Sequence, residues 1–136
     1  MTAQTRPRFG VVVLTMGKRP DDLDRGLVSL LSQGDVDLDV VVVGNGWRPT
    51  GLPDGVKAKG LPENLGIPAG RNAGVSLVSA DLLFFLDDDA CLPEDDILAQ
   101  MAAQFSADPT LGMIQPRVVD PMGRAAPRRW TPRVRV

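Results

Sequence analysis

Residues 82–98 read LLFFLDDDACLPEDDIL, and this stretch decides the fold prediction for the whole chain. Its first five residues form an uninterrupted apolar run, which is typical of a strand buried on both faces of a parallel sheet. Pro93 and the acidic residues after it predict the start of a helix, because proline is favoured at the first helical position and acids complement the helix dipole. Three aspartates, Asp87 to Asp89, separate the strand from the helix.

The same alternation of strand and helix recurs along the rest of the chain. Strands are predicted at Phe9–Leu14, Leu38–Val43, Val56–Ala58, Leu82–Leu86 and Leu111–Gln115. Helices are predicted from Pro20 to about Gly34, from Pro68 to about Ser79, and from Pro93 onward. This order predicts an α/β fold, with a Rossmann-like, mostly parallel sheet and helices on both faces.

The pattern divides the 136 residues into one domain and two tails. We expect a disordered N-terminal tail at 1–8, an α/β domain at 9–120 and an irregular basic tail at 121–136. The basic tail holds three prolines and five arginines, and an isolated strand at 128–136 has no identifiable partner. Because the strand and helix pattern weakens there, we expect the chain to be a fragment whose fold stops part-way.

Composition excludes several classes of function. The formal net charge of −2 offers no general attraction to nucleic acid. The chain has no histidine and one cysteine, Cys91, so a metal must be bound by carboxylates, which favours Mg or Mn. No apolar run approaches the ~20 residues of a membrane span, so we expect a cytoplasmic protein. Peripheral membrane association and a homo-oligomer are both compatible with the sequence.

Three chemically unusual loops, 15–19, 44–48 and 87–92, follow predicted strands and should share the carboxyl edge of the sheet, where ligands bind. Asp87 and Asp89 are two residues apart, so they project to one side of an extended backbone. A divalent cation bridging phosphate oxygens would remove the repulsion among the three carboxylates. The alternative interpretation is a solvated acidic turn before a helix.

A second unusual segment, 64–74, reads NLGIPAGRNAG. Gly70 and Gly74 fall on one helix face, which predicts a close approach of that helix to the sheet. Arg71 lies about 100° around the helix from Gly70 and is placed to reach a phosphate or a base. The alternative is a tightly packed helix with an exposed arginine.

The first two loops offer further candidate binding residues. Asn45 lies between two glycines, and its amide is both donor and acceptor, as the edge of a uracil or guanine requires. A tight turn is an equally good interpretation of that segment. In the first loop, Thr15 and Gly17 are candidate binding residues, whereas the following Lys18 and Arg19 are also explained as solvated side chains. Trp47 and Trp130 suit either sugar stacking or packing.

Three blocks together resemble family 2 glycosyltransferases of the GT-A fold. FGVVVLTMGKRPDDLDRGLVSLLSQ is similar to the family's first strand, nucleotide loop and first helix. ENLGIPAGRNAGV resembles its N-x-G…R-N-x-G segment, and LLFFLDDDACLPEDDIL resembles its D-x-D strand and helix. The resemblance runs from about Phe9 to Val119. It implies the nucleotide-sugar-binding part of a GT-A domain, with a nucleotide-diphosphate sugar as donor and a divalent cation. It also implies an inverting transfer to a hydroxyl of an unknown acceptor, which we expect to be a sugar, a lipid-linked molecule or a small molecule.

The resemblance also implies roles for individual residues. Asp89 would bind the metal, and Asp87 or Asp88 would hold the ribose or share the metal. Thr15 would lie in the nucleotide loop, and Arg71 near the base or phosphates. Two departures affect the prediction. The family's acidic pair followed by glycine is replaced by Gly44-Asn45-Gly46, which leaves the base preference open, and Met16-Gly17 replaces an aromatic residue and an Asn.

The family's general base is a carboxylate in the second half of the domain, so we expect it to lie outside this chain. A non-catalytic module that binds nucleotide diphosphate is therefore an alternative function. A phosphohydrolase with Asp87 as nucleophile is disfavoured, because no lysine follows the aspartates. A nucleotidyltransferase would require a Gly-rich basic loop, to which residues 15–19 are a poor match.

Overall fold

A computed structural model describes residues 5–125. Its elements are β1 Arg8–Thr15, α1 Pro20–Leu31, β2 Asp37–Gly44, β3 Lys57–Gly60, α2 Ile67–Val75, β4 Leu82–Asp87 and α3 Ile97–Ala107. The four strands form one parallel sheet in the order β3-β2-β1-β4. The predicted Rossmann-like α/β fold is thereby confirmed.

Successive valines of β1 point into two different cores, as the pleat of a strand requires. Val11 and Val13 pack with leucines of α1 and α3 on one face, whereas Val12 packs on the other face beside α2. All three side chains are at most 1% exposed. The apolar residues of β1 therefore form a strand that is buried on both faces. The prediction of helices on both faces of the sheet is confirmed.

The glycines of α2 allow this helix to lie unusually close to the sheet. A Cβ at Gly70 would lie 2.6 Å from Leu14 Cδ1, and one at Gly74 would lie 2.5 Å from Val12 Cγ1. Real Cβ atoms do not approach other carbons so closely, so a side chain at either position would displace Leu14 or Val12 or push the helix away from the sheet. The predicted close approach of this helix to the sheet is confirmed, and it places the intervening Arg71 near the ends of the strands.

Helix α2 ends at Val75, four residues before the predicted end at Ser79. The reason is that distant side chains bind the backbone after it: Lys57 Nζ donates to the Leu77 carbonyl, and the Ser79 N–H donates to Asp39 Oδ2 at 2.8 Å. Burial raises the pKa of Asp39, but its hydrogen bonds from Lys57 and Ser79 and the nearby positive charges outweigh burial and lower the pKa. The ionised Asp39 thus fixes the turn between α2 and β4.

Helix α3 begins at Ile97, so the prediction that it starts at Pro93 is wrong. The start is set by Gln33, which follows α1 and has a side chain that is only 7% exposed. Gln33 Oε1 accepts the Leu98 N–H at 3.1 Å, and Gln33 Nε2 donates to the Glu94 carbonyl at 2.6 Å. One amide therefore caps the helix from another element and holds the preceding acidic residues in a turn.

Replacing Gln33 with leucine should lower the free energy of unfolding by about 2 kcal/mol, because the buried Leu98 N–H and the Glu94 carbonyl lose their partners. Denaturant unfolding measures this change. Gln100→Leu is the matched control, since Gln100 is exposed on α3 and should change stability by less than about 0.5 kcal/mol. Equal stabilities for the two variants would contradict the capping role.

The predicted strand Leu111–Gln115 is wrong, because this segment has no strand geometry in the structure. A short apolar run cannot by itself distinguish a strand from an irregular segment, and a strand also needs a hydrogen-bonding neighbour. Here only Ile114 packs, partly buried, against the core. The strand considered at 128–136 lies outside the described residues. Among residues 5–125, no helix has the length and apolarity that a membrane crossing requires.

Candidate functional site

The loops that the sequence places at the carboxyl edge do lie together. Thr15 at the end of β1 is opposite Gly44 at the end of β2, and Leu14 is opposite Asp87 at the end of β4. The chain adds β2 and β3 on one side of β1 and then crosses over to add β4 on the other. The ends of β1 and β4 therefore form a topological switch point, where ligands bind in open parallel sheets.

Thr15 joins the first loop to the aspartates. Its Oγ1 donates to Asp88 Oδ2 at 2.8 Å and accepts the N–H of Gly17 at 3.0 Å. The Thr15 side chain is buried and Asp88 is 13% exposed, so water competes little for this bond. The hydroxyl thus fixes both the turn at Gly17 and the orientation of the Asp88 carboxylate.

Arg19 is a site residue that sequence reasoning did not single out. Its Nη1 lies 2.6 Å from Asp89 Oδ2 and its Nη2 lies 3.0 Å from Asp88 Oδ1, so one guanidinium spans two carboxylates. Arg19 directly precedes α1, and Pro20 begins the helix. The signal in the sequence that identifies Arg19 is its position: it is a basic residue that immediately precedes a predicted helix, in a loop at the carboxyl edge of the sheet.

Arg71 is brought to the third carboxylate by the close packing of α2. Its Nη2 lies 2.8 Å from Asp87 Oδ1, and its guanidinium carbon lies 5.4 Å from the centroid of the Phe85 ring. The second contact is a cation–π interaction that orients the side chain along β4. The structure therefore places Arg71 at the aspartate cluster, where it can also reach an anionic ligand.

The Asn45 side chain is 6% exposed and is engaged within the protein. Its Nδ2 donates to the Gly66 carbonyl at 3.2 Å, and its Oδ1 accepts the Leu65 N–H at 2.8 Å. These bonds join the end of β2 to the loop that precedes α2. The contact between Asn45 and a nucleotide stays a prediction, and the observed role of this residue is to hold the 64–66 segment at the site.

Trp47 packs against the first loop. A Cβ at Gly17 would lie 2.4 Å from Cδ2 of the Trp47 indole, and Gly17 has a φ of +73°, which favours glycine. Asn64 adds a second link to this loop, since its Nδ2 lies 3.3 Å from Met16 Sδ. The loops after β1 and β2 are therefore packed as one unit, and Trp47 serves that packing.

Helix α1 holds the aspartate loop from the other side. A Cβ at Gly26 would lie 2.7 Å from the carbonyl oxygen of Ala90, so the loop lies directly against the helix. One turn later, Ser29 Oγ accepts the Leu92 N–H at 3.0 Å. Together with Gln33, these residues bind the segment after the aspartates to α1, so that the carboxylates are presented by a fixed backbone.

The sequence pattern of Glycosyl transferase family 2 matches residues 11–133. The chain belongs to this family. The match covers the three blocks that carried the resemblance except for the first two residues of the first block, and it therefore confirms the family prediction. No curated protein compared with the chain matches it.

Several solved structures share the fold of this family 2 domain. A mannosyltransferase from Pyrobaculum calidifontis, PcManGT, in complex with GDP-Man and Mn2+, is 25% identical, with a TM-score of 0.64 over 79% of this chain. TarS from S. aureus is 22% identical, with a TM-score of 0.60 over 74% of this chain, and a further TarS structure contains UDP. The GT-A type of α/β architecture is confirmed. The match spans 34% of the mannosyltransferase and 32% of TarS, about a third of each.

The residues of this family 2 domain fit a hard divalent cation by the chemistry of their donors. Within residues 5–125, no group of three or more acidic or cysteine side chains is arranged to hold a metal by itself. Mg2+ in phosphate-binding sites, however, commonly uses one or two carboxylates and takes other ligands from the phosphates and water. The side chains of Asp87 and Asp89 are 69% and 50% exposed, so both carboxylates are open to such a shared site.

Proposed function

We propose that this family 2 domain binds a nucleotide-diphosphate sugar and transfers the sugar, with inversion, to an acceptor hydroxyl in a reaction that depends on a divalent cation. The observation that carries the proposal is the cluster at the switch point, where Asp87, Asp88 and Asp89 meet Arg19 and Arg71. The GDP-Man and Mn2+ bound to PcManGT and the UDP bound to TarS support this class of donor.

The roles follow from how firmly each residue is held. Thr15 fixes Asp88, so this carboxylate is suited to accept hydrogen bonds from a ribose. Asp87 and Asp89 would hold Mg or Mn, which when bound stabilises the negative charge of the departing diphosphate. Arg71 carries a fixed positive charge toward the same diphosphate. Asn45 and Gly17 position the loops that surround the base.

An inverting transfer also needs a carboxylate within hydrogen-bond reach of the acceptor hydroxyl. Asp87, Asp88 and Asp89 are engaged with arginines or Thr15 in the structure, and the proposal gives them to the donor. We therefore assign no residue in the described part of the chain as the general base. The acceptor, the cytoplasmic location, peripheral membrane association and any oligomer stay predictions from the sequence.

A second candidate function is binding without transfer. The chain spans about a third of each matched structure, and its described residues include no assigned general base. A module of this kind would bind nucleotide diphosphate with a cation and would leave the sugar attached. Incubation with donor and Mn2+, followed by assay for released nucleotide diphosphate, separates the two functions.

Calorimetric titration with UDP-, GDP- and dTDP-sugars, with and without Mn2+, tests the shared donor-binding step. We expect one base to bind with a Kd in the micromolar to low millimolar range and to lose at least about tenfold in affinity when Mn2+ is removed, which is about 1.4 kcal/mol. Both candidate functions fail if none of these donors binds, or if binding is indifferent to the cation.

A further inference from the structure

The three carboxylates of the site are covered by the protein's own positive charges. Arg19 contacts Asp88 and Asp89, and Arg71 contacts Asp87, so every aspartate of the run has an arginine partner. Two positive and three negative charges leave the cluster with a single net negative charge. Adjacent carboxylates repel one another, and these arginines offset that repulsion.

The arginine contacts differ in how easily they can be exchanged. The hydrogen bond that Asp88 accepts from Thr15 is largely shielded from water. The ion pair between Arg19 and Asp89 is open to water, because the two side chains are 49% and 50% exposed. Exposed ion pairs contribute little stability, because water and salt compete for both partners. Both side-chain contacts of Arg19 are carboxylates, whereas Arg71 is also held over an aromatic ring. The contact between Arg19 and the exposed Asp89 is therefore one that water or a cation can replace, whereas the second partner of Arg19, Asp88, is only 13% exposed.

We propose that Arg19 is an exchangeable counter-cation of the donor site, which occupies the carboxylates in the free protein and moves to the diphosphate when the cation binds. The inference rests on the proposed function. The backbone of Arg19 stays in place, because Arg19 directly precedes α1 and its carbonyl accepts the Leu23 N–H at 3.0 Å. Only the long side chain has to turn, from carboxylate oxygens to phosphate oxygens, and a guanidinium binds both kinds of oxygen in the same forked geometry.

This exchange gives Arg19 two opposite effects on binding. It competes with a cation for Asp89 and so weakens the binding of the cation alone. It also donates to the diphosphate once released and so strengthens the binding of the nucleotide. Cation and nucleotide should therefore bind cooperatively, and by linkage each increases the affinity of the other by the same factor.

The variant Arg19→Gln separates these two effects. In a titration with Mn2+ alone, we expect it to bind Mn2+ about fivefold more tightly than the wild type, because the competing charge is gone. In saturating Mn2+, we expect its affinity for UDP or GDP, whichever the wild type binds, to fall about tenfold, because a forked contact to phosphate is lost. Isothermal calorimetry measures both affinities, and circular dichroism confirms that the variant is folded.

Two further variants make the test specific. Lys18→Gln removes the same charge from the exposed neighbouring residue and should change the affinity for Mn2+ alone by less than about twofold, because such charges are screened. Arg19→Lys keeps a charge beside the carboxylates and should bind Mn2+ alone as the wild type does. The inference is overturned if Arg19→Gln binds Mn2+ alone no more tightly than the wild type or Lys18→Gln, or if none of them binds Mn2+.

The Mn2+ titration also distinguishes this inference from the proposed function. If the wild type binds Mn2+ but no nucleotide diphosphate, the proposed function fails, and the exchange of Arg19 onto a diphosphate fails with it. If the wild type binds Mn2+ and nucleotide together but Arg19→Gln behaves as Lys18→Gln does, the proposed function stands and only the role of Arg19 fails.

Discussion

Gly44→Ala should lower the free energy of unfolding by about 3 kcal/mol and the midpoint of thermal unfolding by roughly 10 °C. Gly44 ends β2, and the chain turns back over it at once, so a Cβ at this position would lie 1.9 Å from the carbonyl oxygen of Trp47. The atom in the way belongs to the backbone and cannot rotate aside. Accommodation requires the turn at 44–47 to open, and the Trp47 indole, which lies against Gly17, would move with it.

Gly112→Ala is the matched control for this prediction. No heavy atom lies within 4 Å of the Cβ that it would add, and its backbone needs no left-handed conformation. Its stability should equal that of the wild type or exceed it by a few tenths of a kcal/mol, since alanine restricts the unfolded chain. Thermal and denaturant unfolding give both values. A difference between the two variants below about 0.5 kcal/mol would show that the turn is looser than its contacts indicate.

The strands and their order along the chain are the part of the fold that the sequence predicts best. The valines of β1 and β2 are buried between two layers, so nearly every position in these strands carries the signal. The expected burial of β4 on both faces is wrong, because β4 ends the described sheet and its Leu83 and Phe85 are 46% and 39% exposed. The exposed edge strand β3 carries less of it, and its lysines are typical of an unpaired edge. A strand that is buried on both faces can be predicted without knowledge of its neighbouring strands, because almost all of its side chains are apolar.

Helix boundaries were harder to predict, because residues far away in the sequence set them. Gln33 caps the helix that contains Leu98, a separation of 65 residues. Asp39 binds the Ser79 N–H after α2, a separation of 40 residues. Local signals such as Pro93 correctly predicted that a helix follows but not the residue at which it begins. A short stretch of sequence does not show which distant side chain will bind its backbone, so it does not fix the residue at which a helix begins or ends.

Sequence reasoning placed the right loops at the site but did not resolve what their side chains contact. The pattern brought Thr15, Arg71 and the aspartates to one edge, and the structure puts them within hydrogen-bond distance. Arg19 was not separable from a solvated residue, because composition does not show where a long side chain points. Asn45 offered a donor and an acceptor, but only the folded chain shows that the 64–66 loop takes both.

Asp89→Ala should reduce the affinity for the bound nucleotide diphosphate at least about 100-fold in saturating Mn2+. The proposed site gives the cation two carboxylates, and loss of one of them removes a charged ligand that phosphate and water cannot replace. Without Mn2+ the same variant should bind nucleotide as well as the wild type or slightly better. One negative charge is then absent from the phosphate site, and Arg19 has lost one of its two carboxylate partners.

Asp96→Ala is the control with the same change in charge, since Asp96 is exposed and its side chain makes no capping hydrogen bond to α3. It should leave both affinities within about twofold of the wild type, because a solvated surface charge acts weakly through salt. The decisive quantity is the ratio of affinities with and without Mn2+, because damage to the fold would lower both affinities together. An Asp89→Ala variant that keeps the wild-type ratio would show that the cation, if it binds, is held elsewhere, and the aspartate run would then be an acidic turn stabilised by its arginines.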